Sequence, residues 1–280
     1  MQSSKTQTVT TKPLSRANLG WIWGPPLVLL IWLMTLLFSG SNGELFKTFN
    51  LLALERSPAF WAHVTILGDA VVATIFFLPF IRREPQLLLT MLIAAAMATF
   101  ITMGLKSLIM VRRPPAVLDL DSFRLIGMVP RSMAFPSGHS VSAFAVAGIF
   151  ILYYPRAAWR RWLILIVAGQ VAFSRMAVGV HWPMDVIAGA FLGWTFALIA
   201  HAIRQQIPQK FFTRTSALVI GSLFLLGPLA LLSFYDTGYE MYTRVFQLAI
   251  VILLLVTGVY EWFMLYRSVE SKAPVIPPST

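Results

Sequence analysis

Long apolar segments dominate the chain, and polar residues are gathered in the stretches between them. A helix that crosses a bilayer needs about 20 mainly apolar residues. Eight segments approach or meet that length: 19–39, 60–81, 87–110, 138–155, 159–179, 183–203, 216–235 and 245–266. The pattern predicts an all-α, polytopic membrane helix bundle with about eight transmembrane helices. The first segment is too long for the apolar part of a cleaved signal peptide, which indicates an uncleaved anchor.

The polar stretches mark the limits of this bundle. We expect residues 1–18 to be a disordered, basic, cytoplasmic tail and residues 268–280 to be a second disordered tail. The longest internal loop is 111–137, and a loop of that length in a compact protein is usually functional or disordered. The next, 40–59, contains the amphipathic sequence ELFKTFNLLALE, which predicts a short helix lying on the membrane.

Composition supports lipid as the main solvent. Of the 280 residues, 58% are hydrophobic and 12% are charged, which is more apolar than a single soluble core requires. Cysteine is absent, which excludes disulfides, thiolate nucleophiles and cysteine metal sites. The net charge is +11, but the basic residues are scattered between apolar runs. Basic cytoplasmic loops explain that charge better than nucleic acid binding does.

The distribution of Lys and Arg predicts an orientation. With a cytoplasmic N-terminus, 13 of the 22 Lys and Arg residues fall on the inner side of the membrane. Six of the other nine lie in or near 111–137 or close to His181, where a local role can explain them. The bias therefore favours both termini inside and the 111–137 loop outside.

Three polar clusters fall on that predicted outer side. Successive spans run in alternating directions, so the ends that carry these clusters meet at one membrane face. The clusters are KSLIMVRRP, with Lys106 and Arg113; PSGH, with Ser137, Gly138 and His139; and SRMAVGVHWPMD, with Arg175, His181 and Asp185.

Each cluster has a plainer explanation when it is taken alone. Lys106 can snorkel to the interface, and Arg113 can be one more basic loop residue. His181 and Asp185 can begin a helix, with the carboxylate accepting from free N–H groups. All of these explanations would have to coincide on one face, so a functional interpretation is favoured.

The combined residues match the needs of a bound phosphate. Lys106, Arg113 and Arg175 supply three cationic donors, and arginine binds phosphate bidentately. Gly138 lets backbone N–H groups approach an anion closely, and Ser137 adds a hydroxyl. The start of the helix that follows adds the positive end of its dipole.

The two histidines complete the predicted chemistry. Asp185 lies four residues after His181, which suits a carboxylate that holds one imidazole nitrogen while the other attacks. His139 can give a proton to the leaving oxygen. The predicted reaction is phosphoryl transfer through a phosphohistidine, completed by water. Asp185 is the only carboxylate in the motifs and three cations accompany it, so we predict no metal and no cofactor.

These clusters together resemble the three-part signature of the type 2 phosphatidic acid phosphatase (PAP2) superfamily. Its parts are complete and in order as Lys106-x6-Arg113-Pro114, Pro136-Ser137-Gly138-His139 and Ser174-Arg175-x5-His181-x3-Asp185. The resemblance, which covers mainly residues 60–203, implies a six-helix membrane core, metal-free phosphatase chemistry and His181 as nucleophile. It also implies lipid phosphate or polyprenyl diphosphate substrates.

The resemblance divides the chain into two parts. Residues 19–204 form the PAP2-like catalytic membrane domain, and residues 205–267 add two transmembrane helices that carry no motif. Those two helices depart from the family pattern, in which the chain usually ends after six spans. They can widen the lipid-facing wall or form a dimer surface, and the sequence does not indicate the oligomeric state.

The predicted function is hydrolysis of the phosphomonoester or diphosphate head group of a lipid. Undecaprenyl diphosphate, phosphatidylglycerophosphate and phosphatidate are the expected types of substrate, in a bacterial plasma (inner) membrane with the site facing the periplasm. A lipid phosphotransferase that passes the phosphate to another lipid, such as lipid A, would use the same residues and stays open. A transporter is less favoured, because the polar groups cluster at one face and no pair of spans looks broken at the midplane.

Outside the motifs, the predicted spans also contain His63, Asp69, His201 and Glu261. His63 can line the site. An intramembrane carboxylate is a functional candidate, but for Asp69 an interhelical hydrogen bond is favoured. His201 and Glu261 lie near inner span ends and are interpreted as interface residues.

Overall fold

The computed structural model describes residues 16–154, 157–233 and 235–270, and regular structure within these ranges is entirely helical. The all-α prediction is confirmed. The α-helices are α1 (Arg16–Ser39), α2 (Asn42–Leu52), α3 (Pro58–Ile66), α4 (Ala70–Ile75), α5 (Pro85–Ile109), α6 (Gly138–Tyr153), α7 (Ala158–Ala177), α8 (Pro183–Gln206), α9 (Arg214–Ser233) and α10 (Glu240–Glu270).

The predicted tails lie mostly outside the described residues, since 1–15 and 271–280 are not among them. Helix α1 already begins at Arg16 and α10 continues to Glu270. The predicted tails, 1–18 and 268–280, therefore include a few residues that belong to these helices.

Several helices are long and apolar enough to cross a bilayer, as a multi-pass membrane protein requires. Among the described residues there are five, or six if the bent pair α3–α4 counts as one span. The five are Leu19–Ser39, Pro85–Ala116, Pro183–Gln206, Arg214–Ser233 and Glu240–Val269. Helix α6, with 16 residues, is shorter than a standard span. A helix occurs in each of the eight predicted segments, while the count of eight spans stays a prediction.

The second predicted segment, 60–81, is broken, so the expectation of an unbroken span was wrong here. Helices α3 and α4 meet at an angle of 57°. The Asp69 carboxylate caps α4, because its Oδ1 accepts from the N–H groups of Val71 and Val72 at 2.9 and 3.2 Å. At Gly68 an added Cβ would lie 2.5 Å from Val171 Cγ1 and 3.0 Å from the His139 carbonyl oxygen. The break therefore packs directly against α6 and α7.

Helices α6 and α8 form the tightest contact of the bundle. A Cβ added at Gly189 would lie 2.5 Å from the Ser137 carbonyl oxygen, and one at Gly193 would lie 2.1 Å from the Val141 carbonyl oxygen. The missing side chains let the two backbones touch, as small residues do where membrane helices pack closely. Two of the three predicted clusters lie at the adjacent ends of these helices.

The C-terminal hairpin of α9 and α10 is part of the same core. It packs against α4 and the turn at Leu78–Phe80, and the buried cluster there includes Ile75, Leu78, Phe224 and Val251. At the far end of the hairpin, Glu261 accepts from Arg82 at 2.7 Å.

The long loop 111–137 is held in place by α2 and by the start of α8. The Asn50 side chain accepts from the Arg124 N–H at 2.8 Å and donates to the Met176 carbonyl at 3.0 Å. The Trp182 indole donates to the Arg112 carbonyl at 2.8 Å. Helix α2 is present where the amphipathic pattern predicted it, and Asn50 lies on its buried face.

Candidate active site

The start of α6 supplies the first part of the site. Ser137 caps the helix, because its Oγ accepts from the N–H and the hydroxyl of Ser140 at 3.4 and 3.1 Å. The Ser137 N–H donates to the Asp185 carbonyl at 3.0 Å, which joins this turn to α8. A Cβ added at Gly138 would meet nothing within 4 Å. The free N–H groups of this first turn therefore lie beside open space, as anion binding at a helix N-terminus requires.

His139 follows at the next position of α6. Its Nε2 is buried without a hydrogen-bond partner in the described part of the chain. The residue lines a cavity of about 270 Å³ between α5 and α6. A buried imidazole nitrogen that no protein group satisfies is available to a ligand.

Lys106 and Arg113 approach from the end of α5 and the loop after it. The Lys106 ammonium donates to the Met133 carbonyl at 2.6 Å. Arg113, 6% exposed, donates through Nε to the Ser132 carbonyl at 2.7 Å and through Nη1 to the Val180 carbonyl at 2.9 Å. Both cations are thus fixed against the segment that leads into Ser137.

His181 and Asp185 form a buried pair at the start of α8. The His181 Nδ1 lies 3.3 Å from Asp185 Oδ2, which also accepts from the Trp182 N–H at 2.9 Å. On the other side of the ring, Arg113 Nη1 lies 3.0 Å from Nε2. A guanidinium can only donate, so Nε2 must accept and the ring proton must be on Nδ1, toward Asp185. The lone pair of this imidazole is therefore on Nε2.

The protonation of His181 follows from the same surroundings. Burial, followed by the positive charges of Arg113, Arg175 and Lys106, lowers the pKa of His181 well below its usual range. The ring is therefore neutral at neutral pH, as a nitrogen nucleophile must be.

Arg175, at the end of α7, is 2% exposed. Its Nη1 donates to the Thr65 hydroxyl of α3 and to the Tyr239 hydroxyl, the latter at 3.0 Å. The Val180 N–H donates to the Arg175 carbonyl at 3.2 Å, which links this residue to the turn that carries His181.

The structure thus brings the predicted site residues together at one end of the bundle. They lie at the ends of four helices and in the adjoining turns: Lys106, Arg113, Ser137, Gly138, His139, Arg175, His181 and Asp185. The three cations also act on one ring, since each lowers the pKa of His181.

Two residues of this site were missed from the sequence. Thr65 lies in an apolar segment and has no feature that sets it apart from other threonines. Tyr239 follows YDTG in the connection between α9 and α10, which the predicted topology puts on the same side as the three clusters. Its location on the same predicted side as the three clusters was the one feature of the sequence that pointed to Tyr239.

The other ionisable residues singled out from the sequence, His63, Asp69, His201 and Glu261, have local partners. Asp69 accepts from the Tyr235 hydroxyl at 2.8 Å, so its partner lies in the connection between α9 and α10 and not on another helix as was favoured. The His63 Nδ1 pairs with the Ala59 carbonyl of its own helix at 2.6 Å. His201 pairs with Gln205 at 2.9 Å, and Glu261 pairs with Arg82.

The cavity beside His139 is mostly apolar. Its walls include Met91, Ala94 and Ala98 of α5 and Val141 and Ala145 of α6. Asp69 and Tyr235 close part of it with their hydrogen bond. The groups that can donate hydrogen bonds to a phosphate therefore lie beside an apolar cavity, and Gly138 and His139 stand where the two meet.

The donor set suits an anion better than a metal ion. Across the described ranges, no three His, Asp or Glu side chains are grouped so that they could hold a metal ion. At the site, one carboxylate, Asp185, is accompanied by three cations, Lys106, Arg113 and Arg175.

Several known proteins are similar to this chain. An undecaprenyl-diphosphatase of Sulfolobus acidocaldarius is 29% identical over 174 residues, 61% of this chain and 82% of that protein. Phosphatidylglycerophosphatase B of Escherichia coli is 32% identical over 76 residues, 26% of this chain and 30% of that protein. The crystal structure of Aquifex aeolicus LpxE aligns with 57% of this chain and 93% of its own at a TM-score of 0.48 and 27% identity.

The family model described as the PAP2 superfamily matches residues 87–209. That range contains every predicted site residue, from Lys106 to Asp185. Residues 87–209 of this chain therefore match the PAP2 superfamily, as the three motifs predicted.

Proposed function

We propose that this protein is a membrane lipid phosphatase that removes phosphate from a lipid phosphomonoester or diphosphate through a phosphohistidine on His181. The observation that carries the proposal is the position of the His181 lone pair. Asp185 holds the proton on Nδ1, and Nε2 is left as the acceptor within a group of cations. A neutral, oriented imidazole beside anion-binding donors is suited to attack phosphorus.

Substrate binding begins with the anion. The phosphoryl oxygens accept from Lys106, Arg113 and Arg175 and from the N–H groups at the start of α6. Arg113 Nη1 donates to His181 Nε2 at 3.0 Å before the phosphate arrives. The phosphoryl oxygen takes over that hydrogen bond, which frees the Nε2 lone pair for the attack.

The attack forms the Nε2–P bond and breaks the bond between phosphorus and the lipid oxygen. His139, in its protonated form, gives its proton to that oxygen, and the lipid product leaves. The positive charge that develops on the His181 ring is stabilised by the Asp185 carboxylate, 3.3 Å from Nδ1.

Water completes the cycle. His139, now neutral, takes a proton from the water that attacks phosphorus. The N–P bond breaks, its electron pair returns to Nε2, and phosphate is released. The negative charge of the bound phosphate favours the protonated form of His139 for the first step, and the proton given to the lipid oxygen is regained from the water.

An apolar substrate is supported by the cavity of about 270 Å³ that begins at Gly138 and His139. Its alanine and methionine side chains suit a hydrocarbon chain, and polar side chains such as Asp69, Thr99 and Ser142 form a minority of its walls. Relatives named undecaprenyl-diphosphatase and phosphatidylglycerophosphatase B support polyprenyl diphosphate and phosphatidylglycerophosphate as substrate types. Phosphatidate is a simpler lipid with the same terminal group.

The site is proposed to face the periplasm across a bacterial inner membrane. This rests on the excess of Lys and Arg on the opposite side. Reporter fusions after positions 125 and 210 are expected to report opposite sides, with 125 outside. A cytoplasmic signal at 125 would place the site at the inner leaflet.

Phosphate release from a panel of lipids tests the function. Purified protein in detergent receives undecaprenyl diphosphate, phosphatidylglycerophosphate, phosphatidate or the water-soluble p-nitrophenyl phosphate, each with and without lipid A as acceptor. We expect free phosphate from at least one lipid at a kcat/KM well above that for p-nitrophenyl phosphate. Phosphorylated lipid A with little free phosphate would identify a phosphotransferase, and no turnover of any lipid would contradict the proposal.

A further inference from the structure

The C-terminal hairpin reaches the site through Tyr239, although it lies outside the region that matches the family. Tyr239 is 4% exposed and stands just before α10. Its hydroxyl accepts from Arg175 Nη1 at 3.0 Å. The Arg175 guanidinium carbon also lies 5.8 Å from the centre of the Tyr239 ring, within range of a cation–π contact.

The position of Tyr239 is fixed from two sides. On one side, its carbonyl accepts from the N–H groups of Tyr242 and Thr243 at 2.9 and 3.1 Å, which starts α10. On the other side, a Cβ added at Gly127 would lie 2.6 Å from the Tyr239 ring, so the long loop passes directly over that ring. The Met128 N–H then donates to the Gly238 carbonyl at 3.3 Å.

The contacts of Arg175 show which of its donors remain for a ligand. Both of its side-chain hydrogen bonds, to Thr65 and to Tyr239, use Nη1, which carries two hydrogens. Its Nε is buried and has no hydrogen-bond partner among the described residues. The edge formed by Nε and Nη2 is therefore the one that can bind two phosphate oxygens side by side.

We propose that Tyr239 is a positioning residue: it holds Nη1 so that Arg175 presents the Nε–Nη2 edge to the phosphoryl group. The hairpin of α9 and α10 is then a component of the anion site as well as a membrane-embedded support. This proposal rests on the proposed function, because it assumes that Arg175 binds the phosphoryl group.

The test removes one oxygen atom and measures anion affinity apart from turnover. Tyr239→Phe keeps the ring and deletes the hydroxyl. Orthovanadate binding is measured by the shift of thermal unfolding in detergent, and kcat/KM is measured with a lipid that the protein hydrolyses. Losing one hydrogen bond to a charged group predicts about a tenfold weaker vanadate Kd and about a tenfold lower kcat/KM. The matched control is Tyr242→Phe, in the first turn of α10, where the ring packs against the buried cluster that contains Trp61 and Tyr239; this change should leave both unchanged.

A double-mutant cycle separates positioning from general support of the fold. In an Arg175→Ala background, Tyr239→Phe should weaken vanadate binding less than twofold further, because the residue through which it acts is gone. An equal loss in both backgrounds, or no loss in the wild-type background, would overturn the positioning role.

The two proposals fail in different ways. If Tyr239→Phe alters neither lipid turnover nor vanadate binding, the proposed phosphatase activity is supported and the role of Tyr239 is refuted. Vanadate binding that depends on Tyr239, without turnover of any lipid, would refute the phosphatase and support the positioning role. A wild-type protein that binds no vanadate would refute both.

Discussion

Replacing Asp185 with Asn tests how the carboxylate supports the reaction. The change keeps an oxygen that can accept from the Trp182 N–H, so the start of α8 should be preserved. It removes the negative charge 3.3 Å from His181 Nδ1. If the amide NH2 faces the ring instead, it can only donate, so Nδ1 must accept and the ring proton moves to Nε2. Nε2 then carries a hydrogen that faces Arg113 and has no lone pair for the attack.

The size of the effect follows from that distance. When Nε2 bonds to phosphorus, the ring gains a positive charge that the carboxylate attracts. Coulomb's law at 3.3 Å and an effective dielectric constant of about 20 gives about 5 kcal/mol. At 1.36 kcal/mol for each factor of ten, a loss of 4–5 kcal/mol lowers kcat by about 10³- to 10⁴-fold.

The assay is the initial rate of phosphate release by purified protein at saturating lipid. Asp121→Asn is the matched control, because the same change is made to an exposed carboxylate of the long loop, and it should retain wild-type activity. Thermal unfolding and gel filtration in detergent check that both variants are folded. A folded Asp185→Asn protein with more than a tenth of wild-type kcat would refute the electrostatic role of Asp185.

Three further predictions concern the same centre. His181→Ala should abolish turnover while the protein still folds and inserts, and acid-labile phosphate on the protein, trapped during wild-type turnover, should be absent from this variant; near wild-type phosphate release would exclude His181 as nucleophile. EDTA should leave activity intact and orthovanadate should inhibit it, because three cations favour a five-coordinate oxyanion that mimics the transition state; activity lost with EDTA and restored by Mg²⁺ would mean a metal-dependent enzyme. The acid limb of kcat/KM should lie below pH 6.5, because a lowered pKa keeps His181 neutral as the pH falls through the usual histidine range; after correction for the ionisation of the substrate, a limb above 6.5 would contradict the charge assignment.

The convergence of the candidate site residues could be predicted, because it follows from their order along the chain. Lys106, Ser137, Arg175 and Asp185 stand near the ends of successive spans, and alternation of direction brings those ends together. Residue types then indicate an anion site without reference to side-chain positions. The contacts that orient the side chains could not be predicted in this way. The Thr65 hydroxyl is one of many on apolar helices, and its contact with Arg175 depends on how α3 and α7 pack.

The break between α3 and α4 was missed for a related reason. Hydropathy stays high through 60–81, and a run of apolar residues does not show where a helix stops. Gly68 and Asp69 are a turn signal and a helix cap, but inside an apolar span each also has another explanation. The deciding fact is tertiary: Gly68 faces His139 and Val171 at distances that leave no room for a Cβ.

The two glycines of α8 have a consequence for attempts to stabilise this protein. Replacing a helical glycine with alanine is a standard way to raise melting temperature, since it favours the helix and restricts the unfolded chain. At Gly189 the new methyl would start 2.5 Å from the Ser137 carbonyl oxygen, whereas ordinary van der Waals contact begins at 3.4 Å. Because real Cβ contacts shorter than 3.0 Å essentially do not occur, the helix that carries Asp185 would have to move away from the start of the helix that carries His139. A misplacement of about 1 Å can lower an enzymatic rate about a hundredfold. The lack of a side chain at Gly189 therefore allows the close packing that positions the catalytic groups. A Gly189→Ala substitution that favours the helix should lower kcat.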